Sequence, residues 1–215
     1  KFTSECGGIT GYTMDEDGSG KSTLVKMILG LYSPDSGSVT INDRNIADYT
    51  QESLNSEILY LSQEEKFLNT TIEEYLRIIS NDNIDNNKID KCSQFAHFDV
   101  RMDTVIENNG QSLSAGQQKK LLLMKLLLRI ETSSVIILDE VEAGLDQPTK
   151  QRYYDFINQS CRDLNKIFIV ISHEKNADFI SFNKEVQIIN GKMFISSLNQ
   201  DSIIIYIKNL QFLTY

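Results

Sequence analysis

Positive charge is in short supply in this chain: 21 Lys and Arg stand against 30 Asp and Glu, a formal charge of −9 over 215 residues. Wrapping a nucleic acid takes clustered cations to neutralise phosphates, so a nucleic-acid partner is not expected. Cysteine is scarce too. Cys6, Cys92 and Cys161 are odd in number, widely spaced and in no metal-ligand pattern. Reduced thiols of a cytosolic protein, packed as ordinary residues, are therefore expected rather than a disulfide frame. Long apolar runs are missing: the longest candidate, "LLLMKLLL" at Leu121–Leu128, is interrupted by Lys125 and is far short of the roughly 20 residues that span a bilayer. Any membrane would have to be crossed by another polypeptide. The opening "KFTSECGG" likewise lacks the apolar core of a signal peptide. What remains, 40% apolar and 24% charged, is the balance of an ordinary globular chain able to bury a full core as one structural unit.

Along the chain, Phe2–Cys6 and Ile9–Met14 read as two short strands across the Gly7-Gly8 turn, the second running into a Gly-rich loop. From Ser22, "STLVKMILGLY" has helical apolar spacing and stops at "SPDSGSV". Strand-like "GSVTIND" follows, then a polar stretch, then "EILYLSQ", a strand ending at Gln63. Between about Thr70 and Val105, "TTIEEYLRII" and "KIDKCSQFAHF" predict a small helical insert with a solvated Asn/Asp-rich link. Ser114–Arg129 predicts a long helix, "SSVIILDE" a buried strand, Pro148–Arg162 a helix and "KIFIVISHE" a second buried strand. Continuous apolar strands alternating with helices imply a parallel sheet covered on both faces.

The stretch "MDEDGSGKST" carries the first chemistry. A Walker A loop needs glycines so that successive backbone N–H groups curl around phosphate, a Lys to reach the terminal phosphates and a hydroxyl for magnesium. Gly18, Gly20, Lys21 and Ser22 meet that pattern, while Asp15 stands at its first Gly position and begins a run of three carboxylates. Those charges oppose a polyphosphate unless they point to water or meet cations. An ordinary Gly-Ser turn is the bland alternative. Asp139 and Glu140 follow directly on an apolar strand, so that one carboxylate can hold hydrated magnesium and the next can polarise a water. A surface acidic pair at a strand end is the alternative there. "LSAGQ", Leu113–Gln117, opens the long helix, where Ser114 and unpaired N–H groups form an anion site or simply an N-cap. His173 ends another buried strand, whereas His97 carries no such context.

The order of these elements is what distinguishes them. Gly-Lys-Ser loop, Gln63 after a strand, LSAGQ, strand-Asp139-Glu140, "AGLD" at Ala143–Asp146, then strand-His173 is the ordered motif set of the ATP-binding cassette (ABC) ATPases, which this sequence resembles over nearly its whole length. The resemblance implies an α/β fold: a P-loop NTPase core with a mostly parallel sheet, an antiparallel β subdomain and a helical signature subdomain. It implies ATP and Mg²⁺ as cofactors. Gly18, Ser19, Gly20, Lys21, Ser22 and Thr23 would bind the phosphates; Ser22, Gln63 and Asp139 would serve the metal. Glu140 would be the general base, Gln63 would also contact the water and sense the transport partner, His173 would hold the terminal phosphate, and Asp146 would belong to a loop communicating between subunits. Ser114, Gly116 and Gln117 would complete the nucleotide site of a second ABC ATPase domain in a head-to-tail dimer. "MDTVIENNGQSLSAGQQKK" and "LYLSQEEKFLNTTIEEYL" are similar to the corresponding segments of exporter-type members. Export through a transmembrane domain, at the cytoplasmic face of a membrane, is therefore the expectation. The sequence departs from the family at Ala115, where Gly is usual, at Lys119 and Lys120, and most seriously at Asp15.

The end of the chain, "SIIIYIKNLQFLTY", is a strand by composition. It resembles the first strand of an exporter-type cassette, with Tyr215, or alternatively Phe212, in the place of an adenine-stacking aromatic. The expected layout is thus an ABC ATPase domain over 1–200, its helical subdomain at about 64–112, and a strand over 201–215 resembling the family's N-terminal one. A circularly permuted cassette or the start of a tandem second copy both account for that layout. Rival expectations are a nucleotide-binding module that hydrolyses weakly or not at all, a small-molecule P-loop kinase and a soluble ABC protein acting on ribosomes or DNA. The kinase has no use for LSAGQ, Gln63 or AGLD, and the acidic charge disfavours the last.

Overall fold

A computed structural model describes residues 21–41, 43–62, 64–80, 84–164, 166–172, 184–189, 192–197 and 204–208; for Lys21, 162–164, Ser172 and the strands beyond it, the backbone alone is described. The strands expected at Phe2–Cys6 and Ile9–Met14 lie outside these residues.

The first described element, α1 (Lys21–Ile28), follows the Gly-rich stretch and stops where Gly30 takes φ +71°, with Leu31 N–H bonding back to the Lys26 carbonyl at 2.8 Å. Only glycine suits this exit, because the conformation is left-handed and a Cβ would come within 2.7 Å of Leu54. The strand expected in "GSVTIND" shrinks to β1 (Thr40–Ile41), paired antiparallel with β2 (Arg44–Asn45). The turn through Asp43, at φ +61°, comes too early for a longer ladder. The polar stretch after it holds α2 (Gln51–Glu57), a helix the hydrophobic spacing did not predict because Leu54 is its one buried residue. Its start is signalled by Thr50, whose hydroxyl accepts the Ser53 N–H.

Next come β3 (Ile58–Ser62), α3 (Ile72–Ile79), α4 (Asn86–Ala96), α5 (Ala115–Arg129), β4 (Val135–Asp139), α6 (Gln147–Leu164) and β5 (Ile167–Ser172). Each of α3, α4 and α5 starts at a side-chain cap: Thr71, Asp85 and Ser114. The chain continues through β6 (Lys184–Ile189), β7 (Lys192–Ser197) and β8 (Ile204–Lys208). Among the described residues the main sheet has the order β3-β4-β5-β8-β6-β7. All neighbours are parallel except β6 and β7, an antiparallel hairpin closed by the Ile189–Lys192 pair. That hairpin was readable in advance, because Asn190-Gly191 between alternating apolar residues is a strong two-residue turn signal. Of the strand expected over 201–215, the described part is β8, whose backbone lies inside the sheet between β5 and β6.

Alternation along β3, β4 and β5 divides the core in two, as a parallel sheet covered on both faces requires. Leu59, Leu61, Ile136, Leu138, Phe168 and Val170 pack with α3, α4, α5 and α6. Ile58, Val135, Ile137, Ile169 and Ile171 face the other way, onto Val25 of α1, Leu54 of α2 and Ile41 of β1. The helical insert therefore shares one continuous core with α5 and the sheet. Cys92 and Cys161 are buried on that side as packing residues.

Candidate functional site

Strands β3, β4 and β5 run parallel and end level with one another: Ser62 pairs with Asp139, and Asp139 with Ile171. Their carboxyl ends therefore form one rim, where open α/β sheets place ligands. Val135, Ile137 and Asp139 share a face by alternation, and the first two pack against α1. Asp139 is thus on the α1 side of the sheet. Tyr60, two positions before the end of β3 and packed on the same face, donates its hydroxyl to Asp139 Oδ2 at 3.0 Å. Burial, and next the Asp139 charge, push the Tyr60 phenol well above its ordinary pKa.

Glu140 leaves the strand abruptly. Its φ of +55° is left-handed, uncommon for a residue with a side chain, and its N–H donates to the Ile171 carbonyl at 2.9 Å. This bond ties the residue after the β4 rim to β5, two residues before His173. The following turn is closed by Ala143 N–H to the Glu140 carbonyl at 3.2 Å and by Gly144 at φ +77°. Asp146 then caps α6, accepting the Thr149 N–H at 2.9 Å and the Thr149 hydroxyl at 3.1 Å. Those two bonds hold its carboxyl below the usual carboxylate range.

Around the signature, Ser114 and Gln117 form a reciprocal capping box: Gln117 N–H to Ser114 Oγ at 3.2 Å, Ser114 N–H to Gln117 Oε1 at 2.8 Å. Ser114, Ala115 and Gly116 are exposed, and a Cβ on Gly116 would meet nothing within 4 Å. The first turn of α5 therefore presents open backbone N–H groups to the outside. Its approach is fixed from behind. Gly110, at φ +99°, lies so close to Phe67 that a Cβ would come within 2.6 Å of the ring, and Gln118 donates to the Gly110 carbonyl at 2.9 Å. Lys125 on α5 pairs with Glu65 at 2.5 Å, both largely buried. The segment just past Gln63 is thereby joined to the signature helix, a link that sequence spacing did not suggest.

Lys119 is another residue that sequence reading passed over as a mere departure. Its ammonium is buried, and desolvation lowers its pKa against the opposing pull of Glu142 and Glu140. Glu142 itself is 1% exposed, so opposite buried charges relate α5 to the turn after Glu140.

Of the predicted site residues, Asp139 and Glu140 stand at the sheet rim, Ser22 and Thr23 are exposed in the first turn of α1, and Lys21 begins that helix. Ser114, Gly116 and Gln117 stand together at the start of α5, and their capping bonds stay within their own turn. Gly18, Ser19, Gly20, Gln63, His173 and Tyr215, with the alternative Phe212, lie outside the described residues.

The profile of the family described as "ABC transporter" matches residues 4–143. The chain belongs to that family. This ABC protein is 31% identical over 163 residues to the ATP-dependent lipid A-core flippase of Vibrio parahaemolyticus, covering 73% of this chain and 27% of the flippase. It is 32% identical over 174 residues to the flippase of Pasteurella multocida, covering 76% and 29%. Flippase 2 of Colwellia psychrerythraea aligns over 92% of this chain and 34% of its own, at 26% identity. Among solved structures, a bacterial Atm1-family ABC exporter with ATP bound superposes with a TM-score of 0.74 over 86% of this chain and 33% of that one, at 21% identity, a likeness of fold. The chain thus spans about a quarter to a third of the relatives it matches. No described helix is long and apolar enough to cross a membrane.

Proposed function

We propose that this chain binds and hydrolyses ATP to power export through a transmembrane domain, paired head to tail with a second ABC ATPase domain at the cytoplasmic face of a membrane. The observation that carries the reading is the Asp139-Glu140 rim, with Asp139 turned to the α1 side and Glu140 swung out of the strand onto β5. Lys21, Ser22 and Thr23, with Gly18, Ser19 and Gly20 before them, hold the phosphates. Glu140 takes the proton of the attacking water, Gln63 orients that water, His173 holds the terminal phosphate and Tyr215 stacks on adenine. The exposed first turn of α5, shaped by the Ser114–Gln117 capping box, serves the partner's nucleotide at Ser114, Gly116 and Gln117, with the Gly116 backbone N–H left open to it.

The donors suit magnesium. Asp139 and Ser22 offer oxygen, and among the described residues no three His, Cys, Asp or Glu gather into a cage. Magnesium bound through one or two protein oxygens plus phosphates needs no such cage. When bound, it supplies neutralisation of the charge on the phosphates. Ser22 and Asp139, with Gln63, are the residues to hold it.

A second reading is favoured by Asp15, Glu16 and Asp17: a nucleotide-binding regulatory module with weak or no hydrolysis. Titration calorimetry with MgATP and a steady-state ATPase assay, run on this chain and on Asp15→Gly, separate the two. Binding with turnover in the unaltered chain supports the motor. Binding without turnover in the unaltered chain supports the nucleotide-binding module, and binding recovered only in Asp15→Gly shows a loop disabled by its carboxylates, which leaves the chain a scaffold or regulator rather than a motor.

A further inference from the structure

We infer that Tyr60 is a positioning residue for Asp139, holding the carboxylate in the one orientation that suits a hydrated cation and a nucleotide. The inference rests on the nucleotide reading above and goes one layer behind its site. Asp139 is the last residue of β4, paired at the rim with Ser62 of β3 and Ile171 of β5. Tyr60 reaches its side chain from the neighbouring strand. It belongs to the same register face, its ring is held among the residues that pack on α1, and its hydroxyl reaches Asp139 Oδ2 at 3.0 Å. A hydrogen bond from a neutral phenol to one carboxylate oxygen restricts rotation about the terminal side-chain bond. Partners that orient a metal-ligating carboxylate typically matter about tenfold or more for metal affinity.

Tyr60 is also the only aromatic in β3, between Leu59 and Leu61, which are turned to the opposite face. Packing alone would be satisfied by Phe. The hydroxyl, not the ring, is therefore what the inference assigns, and Tyr60→Phe isolates it.

The experiment titrates Mg²⁺ into the chain and into Tyr60→Phe, Asp139→Asn and the double variant, reading binding of a fluorescent ATP analogue, with the same analogue in excess EDTA as reference. The expected result is a rise of about tenfold in the half-saturating Mg²⁺ concentration for Tyr60→Phe, with EDTA binding unchanged. The double variant should be no worse than Asp139→Asn alone, because both act through one carboxylate. An unchanged Mg²⁺ midpoint in Tyr60→Phe, or additive losses in the double variant, would overturn the positioning role while leaving the nucleotide reading intact. Equal weakening with and without Mg²⁺ would overturn it too, since that is what a purely structural loss gives. Absence of analogue binding by the unaltered chain would overturn the nucleotide reading, and this role with it.

Discussion

Glu140 combines two features that rarely coincide without purpose: a carboxylate at the rim of a parallel sheet, and a left-handed backbone held by a hydrogen bond to the next strand. Asparagine and aspartate tolerate that conformation better than glutamate does. The longer side chain is therefore retained against a local backbone preference, which fits a role in proton transfer. Glu140→Gln keeps the size and the backbone and removes the carboxylate proposed as the base. Steady-state turnover should fall by about 10²-fold or more, and gel filtration with MgATP should show a dimer that persists. Turnover equal to that of the parent would remove Glu140 from the reaction. The pair Asp139-Glu140 was visible in the sequence as two acids directly after an apolar strand, and the order of the other motifs set it apart from a surface acidic pair. Tyr60 was not, since nothing in "ILYLSQ" says which of its neighbours the hydroxyl meets.

At the scale of elements, the helix starts are set by local chemistry. Thr50, Thr71, Asp85 and Ser114 all accept an N–H from the first turn of the helix they open. Asp146 does the same for α6, which ties the AGLD turn to helix formation. Because its folded pKa is depressed, Asp146 stabilises the fold above the unfolded aspartate value of about 3.9, and the contribution disappears as pH falls through the lower folded value. Urea unfolding followed from pH 6 to pH 3 should thus show a smaller pH-dependent loss in Asp146→Asn than in the parent. An identical pH dependence in the two proteins would remove Asp146 from the acid response. The long α5 and its Ser114 cap were legible from residue type and spacing, whereas the caps at Thr50, Thr71 and Asp85 were found only in the structure. The short α2 was not legible, since one buried residue makes no periodicity, and the β6–β7 hairpin was passed over although Asn190-Gly191 announces it.

For the whole molecule, the main consequence is cooperativity. Leu76 of α3, fully buried, lies in the same cluster as Leu121 of α5, Leu138 of β4 and Phe168 of β5. The helical insert is therefore not an independent unit that could melt by itself. Leu76→Ala should lower the free energy of unfolding by about 2–5 kcal/mol, in one transition seen alike by far-ultraviolet circular dichroism and tyrosine fluorescence. Two separated transitions would show that α3 and α4 form a unit of their own. The flippase and exporter relatives are three to four times longer than the aligned part, so the transmembrane domain and the second ATPase domain belong to the proposal and are tested through it.

The sequence by itself determined the order of the chemistry-bearing motifs, the alternation of helices with apolar strands and the Ser114 start of α5, because each of these depends on residue type and short-range spacing. Only the tertiary structure decided what those motifs touch. Tyr60 reaching Asp139, Lys125 pairing with Glu65, Phe67 lying under Gly110 and the insert joining the main core all depend on strand register and helix packing. Those contacts link residues tens of positions apart, and no local pattern encodes a partner at that range.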